Sequence, residues 1–152
     1  ALSSAASDVY KRQLEKMNQQ VKELAAIYHG VASKAGISDN EFWVWYTLVI
    51  LEGEYSQQDI CDLWSLPKQT VNTIVTNLSK KGFLVLEAIP GTRNRKVIRI
   101  TEEGKEYGKS IVEKIYRAEK NSFERMSEEE REMCIALTEK YITFLKDEVY
   151  TE

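Results

Sequence analysis

Apolar residues recur along this chain with a helical period in six segments, and the period drops to two at one place between the fourth and the fifth. The first stripe is Tyr10, Leu14, Met17, Val21, Leu24, Tyr28 and Val31, with Lys11, Glu15, Gln19 and Lys22 on the opposite side. Steps that alternate four and three draw one apolar seam along a helix of about seven turns. Gly36 follows Ala35 as a terminator. Ser38-Asp39-Asn40-Glu41 then opens a second helix, in which Ser38 can cap the backbone and Glu41 can reach back to it. Phe42, Trp43, Trp45, Tyr46, Leu48, Val49 and Leu51 occupy several of its faces, so it is expected to lie centrally. Glu52-Gly53-Glu54 breaks it.

Ser56-Gln57-Gln58-Asp59 reads as another capping-box start, with Ile60, Leu63 and Trp64 inward. Ser65 to Pro67 makes the turn, and a proline is tolerated in the first turn of the next helix because its missing N–H would be unpaired there. That helix carries Val71, Ile74, Val75 and Leu78 inward and stops at Gly82. Phe83–Glu87 and Arg95–Ile100 are then rich in β-formers and flank Pro90-Gly91-Thr92-Arg93-Asn94, a turn composition, which predicts a hairpin. On its return strand Ile98 and Ile100 are expected on an apolar face, with Arg95, Val97 and Arg99 on a largely basic one. Thr101-Glu102-Glu103 is a capped, acidic helix start, continued by Tyr107, Ile111, Ile115 and Ala118 toward Phe123. Ser127-Glu128-Glu129-Glu130 opens the last helix, with Met133, Leu137, Tyr141, Phe144 and Leu145 at helical spacing. The order α-α-α-α-β-β-α-α with short connections predicts a mainly α fold with a small β-hairpin wing, in a single domain over residues 8–152. Residues 1–7 are expected to form a disordered leader.

Composition narrows the function class by exclusion. The chain has 152 residues, 43% hydrophobic and 30% charged, with two Cys and one His. No apolar run approaches the ~20 residues a bilayer requires, so no membrane partner is expected. Its start lacks the features of a secretion signal, and Cys61 and Cys134 sit in apolar helical patterns with no disulfide framework; a reducing, cytoplasmic setting is the expectation. A lone His29 without paired Cys predicts no metal site. No Gly-rich phosphate loop and no Ser/His or Cys/His pairing is present, and the acids cluster at helix starts, so neither catalysis nor a cofactor is expected.

Charge adds what hydropathy does not. Between Ser65 and Ile100 stand Lys68, Lys80, Lys81, Arg93, Arg95, Lys96 and Arg99 against the single acid Glu87, a balance of +6. The whole chain is −3, which leaves −9 for everything outside this window. A basic block in an acidic chain, on elements that fit and flank a duplex groove, is an electrostatic footprint of nucleic-acid binding. With Val71, Ile74, Val75 and Leu78 inward, Lys68, Gln69, Thr70, Asn72, Thr73, Thr76 and Asn77 fall outside, with Lys80 at the helix end. Amides and hydroxyls of this kind hydrogen-bond base edges in the major groove. Arg93, Arg95 and Lys96 at the hairpin tip suit phosphates or a narrow minor groove. The competing explanations are an edge hairpin kept apart by charge and a winged helix used only for protein contacts. Steep salt dependence of binding separates DNA from both.

Two further features need covering or explaining. The stripes of the first and last helices, including Tyr10, Leu14, Met17, Val21, Met133, Leu137, Tyr141 and Leu145, exceed what a small winged helix covers, and large apolar patches signal association. A symmetric dimer is one solution and pairing of the two helices within one chain the other. In a dimer, two recognition helices ~34–36 Å apart would call for a pseudo-palindromic site. Tyr28, His29, Trp43, Trp45 and Tyr46 could line a crevice for a small effector, or simply be core.

Residues 56–101 resemble the winged helix–turn–helix of the MarR family of transcriptional regulators. The resemblance is carried by Gln69-Thr70-Val71, by Leu78-Ser79-Lys80-Lys81-Gly82-Phe83-Leu84, by the Arg-containing wing and by Ile100-Thr101-Glu102-Glu103-Gly104. It departs from the family at Thr92-Arg93-Asn94, where Asp-x-Arg is usual. The flanking long helices fit the same architecture. The resemblance implies an intertwined homodimer built on helices at 8–35 and 105–148, with residues 38–101 as the DNA-binding lobe. It also implies a palindromic double-stranded operator and a pocket for phenolic or other aromatic ligands, in keeping with a ligand-responsive repressor.

Overall fold

The computed structural model describes residues 2–151. Six helices and one hairpin follow in the expected order: α1 Leu2–Ala35, α2 Asp39–Ile50, α3 Gln57–Trp64, α4 Lys68–Lys80, β1 Leu84–Ala88, β2 Lys96–Ile100, α5 Glu102–Glu124 and α6 Glu128–Tyr150. The strands pair antiparallel with Leu84 opposite Ile100, Leu86 opposite Ile98 and Ala88 opposite Lys96. This is the mainly α fold with a β-hairpin wing that the periodicity predicts.

The leader expected to be disordered is helical instead: α1 begins at Leu2, because Leu-Ser-Ser-Ala-Ala-Ser-Asp contains no glycine or proline to stop a helix that Ala and Leu favour; Ala1 lies outside the described residues. The chain divides into two compact units, residues 1–113 and 114–152, with the boundary inside α5. In α5 Val112 is fully buried and Ile111 and Ile115 nearly so, and α6 contains no buried residue.

In the first unit the core is Phe42, Val44 and Trp45 of α2, Ile60 and Cys61 of α3, Val71, Val75 and Leu78 of α4, and Leu84, Val97 and Ile98 of the hairpin, joined by Ile111 and Val112 of α5. The central placement of α2 follows from its all-round apolar surface. Val97 departs from the alternation expected of β2. Val97 and Ile98 are both buried; the carbonyl of Tyr55 accepts a bond from the Ile98 N–H at 2.8 Å at the strand edge, and α3 lies against the strand.

Capping sets the element ends. Ser38 accepts the Glu41 N–H at 3.1 Å, but the Glu41 carboxylate accepts the indole N–H of Trp45 at 3.1 Å instead of reaching back. Ser56 and Ser127 head complete capping boxes with Asp59 and Glu130. Ser65 turns the chain in the left-handed region at φ 53°, and Pro67 stands at the N-cap of α4, one place before the helix proper. Thr101 caps α5 by accepting the Gly104 N–H at 3.1 Å. Two glycines then let α5 approach closely. A Cβ at Gly104 would fall 2.1 Å from the Phe83 carbonyl oxygen, and one at Gly108 would fall 2.6 Å from the Trp45 ring.

Candidate nucleic-acid interface

α4 is amphipathic in a way that leaves a defined outer face. Val71, Val75 and Leu78 are buried, and Gln69, Thr73, Thr76 and Lys80 stand exposed opposite them, flanked by Asn72 and Asn77. Thr70 is only half-exposed, at the edge of the inward face. The helix contains no acid and no arginine. Thr73 donates its hydroxyl to the Gln69 carbonyl at 2.9 Å, which leaves its methyl group and oxygen lone pairs toward solvent.

Beside this face lies an open cleft of about 810 Å³ between α3, α4 and the wing, into which Lys68, Gln69, Asn72, Arg95 and Lys96 project. Those five sequence-predicted residues are brought together there. Thr73, Asn77 and Lys80 continue the outer face of α4, and Arg93 is exposed in the turn between the strands. The cleft also takes in Gln57 and Gln58 at the start of α3 and Asn94 of the wing. Their proximity depends on folding over 36 residues, and short polar residues near a helix start carry no signal of it.

Electrostatics in the wing differ from the sum of its charges. Arg95 donates from one guanidinium nitrogen to both carboxylate oxygens of Asp59, at 3.0 and 3.1 Å. Asp59 also accepts the Ser56 N–H at 2.8 Å as the third residue of α3. That backbone bond, with further help from the Ser56 hydroxyl and Arg95, holds its carboxyl below the usual 3.8 against the opposing effect of burial. Arg99 bridges Glu54 at 2.7 Å and Glu87 at 3.0 Å, and those two acceptors raise its pKa above the ordinary arginine value. Two of the seven cations in the basic window therefore brace the hairpin, Arg95 to α3 and Arg99 to the segment before it. Lys68, Lys80, Lys81, Arg93 and Lys96 carry the remaining charge. In the turn, Thr92 donates its hydroxyl to the Ile89 carbonyl at 2.8 Å.

The five residues expected to form an effector crevice do not all meet. Tyr28, Trp43 and Tyr46 cluster with Phe42, and Trp43 stacks on Trp64 of α3 at 4.5 Å between centroids. Trp64 donates to the buried Thr47 hydroxyl at 2.6 Å, which donates in turn to the Trp43 carbonyl. Trp45 stands apart. It is fully buried against Phe83 and Tyr107, where burial and then Glu41 raise the tyrosine pKa. Its role is core, because the step from Trp43 to Trp45 carries it about 200° around the helix. His29 is exposed and shares a 2.8 Å hydrogen bond with Asp39.

The expected association faces are open on each element. In α1, Tyr10, Leu14, Met17 and Val21 are exposed, Val21 to 58%; in α6 so are Met133, Leu137 and Leu145, Leu137 to 57%, and Tyr141 is half-exposed. Among the described residues no helix is long and apolar enough to cross a membrane, and no group of three or more His, Cys, Asp or Glu is placed to hold a metal ion. Cys61 is buried, which raises its pKa, and Cys134 is exposed; both are free.

Comparison with known proteins bears on the same elements. No curated protein matches the sequence. A MarR family model matches residues 35–93, from the end of α1 to the wing tip. Among solved structures, a MarR family regulator from Neisseria meningitidis is 23% identical with a TM-score of 0.77, over 90% of this chain and 96% of that one. NadR in complex with 4-hydroxyphenylacetate is 19% identical with a TM-score of 0.68, over 83% and 89%. Staphylococcus aureus MepR in its DNA-binding conformation is 20% identical with a TM-score of 0.66, over 90% and 98%. The chain is thus similar to the MarR family over residues 35–93, and it shares its fold with solved MarR family regulators.

Proposed function

We propose that the chain binds double-stranded DNA sequence-specifically as a homodimer on a pseudo-palindromic operator in the cytoplasm, and that it acts as a repressor released by a small aromatic ligand. The observation that carries the DNA reading is the acid-free amide-and-hydroxyl face of α4 beside a cleft edged by Lys68 and Lys96. α4 would enter the major groove with Gln69, Asn72, Thr73 and Asn77 toward base edges, while Lys68, Lys80, Arg93 and Lys96 meet the backbone or minor groove. Arg95 positions the wing through Asp59. A structural neighbour held in a DNA-binding conformation supports the same use of the fold.

Dimerisation is supported by the long apolar stripes of α1 and α6, exposed along each helix. A second copy would cover them and set two copies of α4 one duplex turn apart. For the ligand, the Tyr28–Trp43–Tyr46 cluster is the candidate neighbourhood, because Trp43 stacks directly on Trp64 of the helix–turn–helix. A ligand binding there more tightly in one arrangement of α3 would shift the population of DNA-competent dimers. The neighbour bound to 4-hydroxyphenylacetate is the reason to begin with phenolic acids.

Gel-shift titration against the upstream region of its own gene tests the reading. The expected result is saturable binding that weakens about a thousandfold or more between about 50 and 200 mM salt for six or more phosphate contacts, and that a phenolic acid relieves. Binding indifferent to salt and sequence would sink it.

A further inference from the structure

We infer that the base pairs read by α4 are A·T pairs, so that each operator half-site has an A·T-rich core. The inference rests on the proposed DNA-binding reading and adds the chemical class of the bases. Each base pair presents a distinct set of groups in the major groove. Guanine O6 and N7 are met by Arg or Lys, and cytosine N4 by Asp or Glu. Adenine N6 and N7 are met by Asn or Gln, and the thymine methyl by apolar groups such as a threonine methyl. Between Gln69 and Asn77 the outer face of α4 holds only the second set. Gln69, Thr73 and Thr76 form its crest, Asn72 and Asn77 its flanks, and no arginine, aspartate or glutamate occurs anywhere in the helix.

Position removes the two lysines from the crest centre. Lys68 opens the helix and lines the cleft with Arg95 and Lys96, facing Cys61 and Asp62 of α3 across it. Lys80 is the last residue of the helix. Between them, Gln69 to Thr76 spans about 10.5 Å of helix axis, or about three base-pair steps. Thr73 strengthens the argument. With its hydroxyl proton donated to the Gln69 carbonyl, what it offers a base is a methyl group and oxygen lone pairs, a surface suited to the thymine methyl. At the wing tip Arg93 is exposed, and the narrow, strongly negative minor groove of A-tracts favours an inserted arginine.

Selection of bound duplexes from a random-sequence library by the full chain, read by sequencing, tests this directly. The expected motif has A·T pairs at three or more adjacent positions in each half-site. Asn72→Ala and Gln69→Ala should each lower discrimination at one adenine by about 5- to 150-fold, whereas Lys80→Ala should weaken binding to all sequences alike. Asn72→Arg should turn its position toward guanine. Half-sites centred on G·C pairs, or retention of duplex with no base preference, would overturn the inference and leave DNA binding standing. Retention of no duplex at about 50 mM salt, where phosphate contacts are strongest, would overturn it together with the DNA-binding reading.

Discussion

Arg95 and Lys96 are neighbours on the wing and line the same cleft, yet their roles differ, and salt separates them. A cation that neutralises a phosphate on binding contributes about −0.9 to the slope of log affinity against log salt. Removing one such contact flattens the slope by that amount, a difference of about 3.5-fold in affinity between 50 and 200 mM. Lys96→Ala should do this. Arg95→Ala should not, because its guanidinium is held by both oxygens of Asp59. The pair is half-exposed, with side-chain exposures of 56% and 32%, and uses a single nitrogen rather than a two-nitrogen fork. An exposed pair of this kind contributes about 0.2–1 kcal/mol. Loss of the tether should therefore weaken DNA binding by up to about fivefold, by the same factor at every salt concentration.

The reciprocal change completes the test. Asp59→Asn keeps an oxygen for the Ser56 N–H and thus the cap of α3, but releases the charge of Arg95 toward the DNA, so the slope should steepen by up to about 0.9. Fluorescence anisotropy with a labelled operator between 50 and 200 mM salt reads all three variants on one plot. A slope flattened by about 0.9 in Arg95→Ala would show that this arginine contacts a phosphate and would refute the tether.

Other consequences follow from packing and titration. Gly104→Ala places a methyl 2.1 Å from the backbone oxygen of Phe83, which is no flexible side-chain end; it should destabilise by at least about 1–3 kcal/mol. Gly30→Ala, with nothing within 4 Å inside α1, should stabilise by about 0.5–1 kcal/mol, and opposite shifts in urea midpoint check the pair. Asp59 has its folded pKa below the unfolded 3.8, chiefly through the Ser56 N–H. Its contribution is therefore present above pH 3.8 and lost as pH falls through the lower folded value. The stability gap between the parent and Asp59→Asn should close over that interval in pH-stepped urea unfolding. A Val21→Glu/Leu137→Glu variant alters side chains exposed in the single chain. It should keep its helical circular dichroism and run as a monomer in sizing with light scattering, and a dimer surviving both changes would refute the proposed interface.

The fold was legible because its determinants are local. Ser38, Ser56, Thr101 and Ser127 cap the helices at the expected places, and the change of period at Phe83 marks the hairpin. The exposed polar face of α4 was legible for the same reason, since one helix's buried side determines its exposed side. What escaped depends on contacts distant in sequence. Trp45 and Trp43 look alike in composition, but the close approach of α5 at Gly108 makes the first core. Val97 reads as a solvent position, but it is buried in a strand against which α3 packs. Asp59 reads as a cap and nothing more, because its second partner is 36 residues away.

That second partner changes what the basic window means. A balance of +6 treats seven cations as equivalent, but the fold sorts them by chemistry. Arg95 and Arg99, next to and within β2, are held by Asp59, which also caps α3, by Glu54 of the segment before it and by Glu87 of the facing strand. Arginine suits such bracing, since a planar guanidinium can be fixed between carboxylates, whereas a lysine is a mobile point charge on a long stem. Lys68, Lys80, Lys81 and Lys96 are of the second kind and stand around the cleft and the end of α4. The wing thus lacks Asp-x-Arg at Thr92 and Asn94 without lacking restraint. Thr92 closes the turn on Ile89, and the ionic anchor lies one residue further on, reaching α3. On the proposed mechanism, a wing anchored to α3 by Arg95 and Asp59 would follow a displacement of α3 passed through the Trp43–Trp64 stack, so that wing and α4 would leave the duplex together.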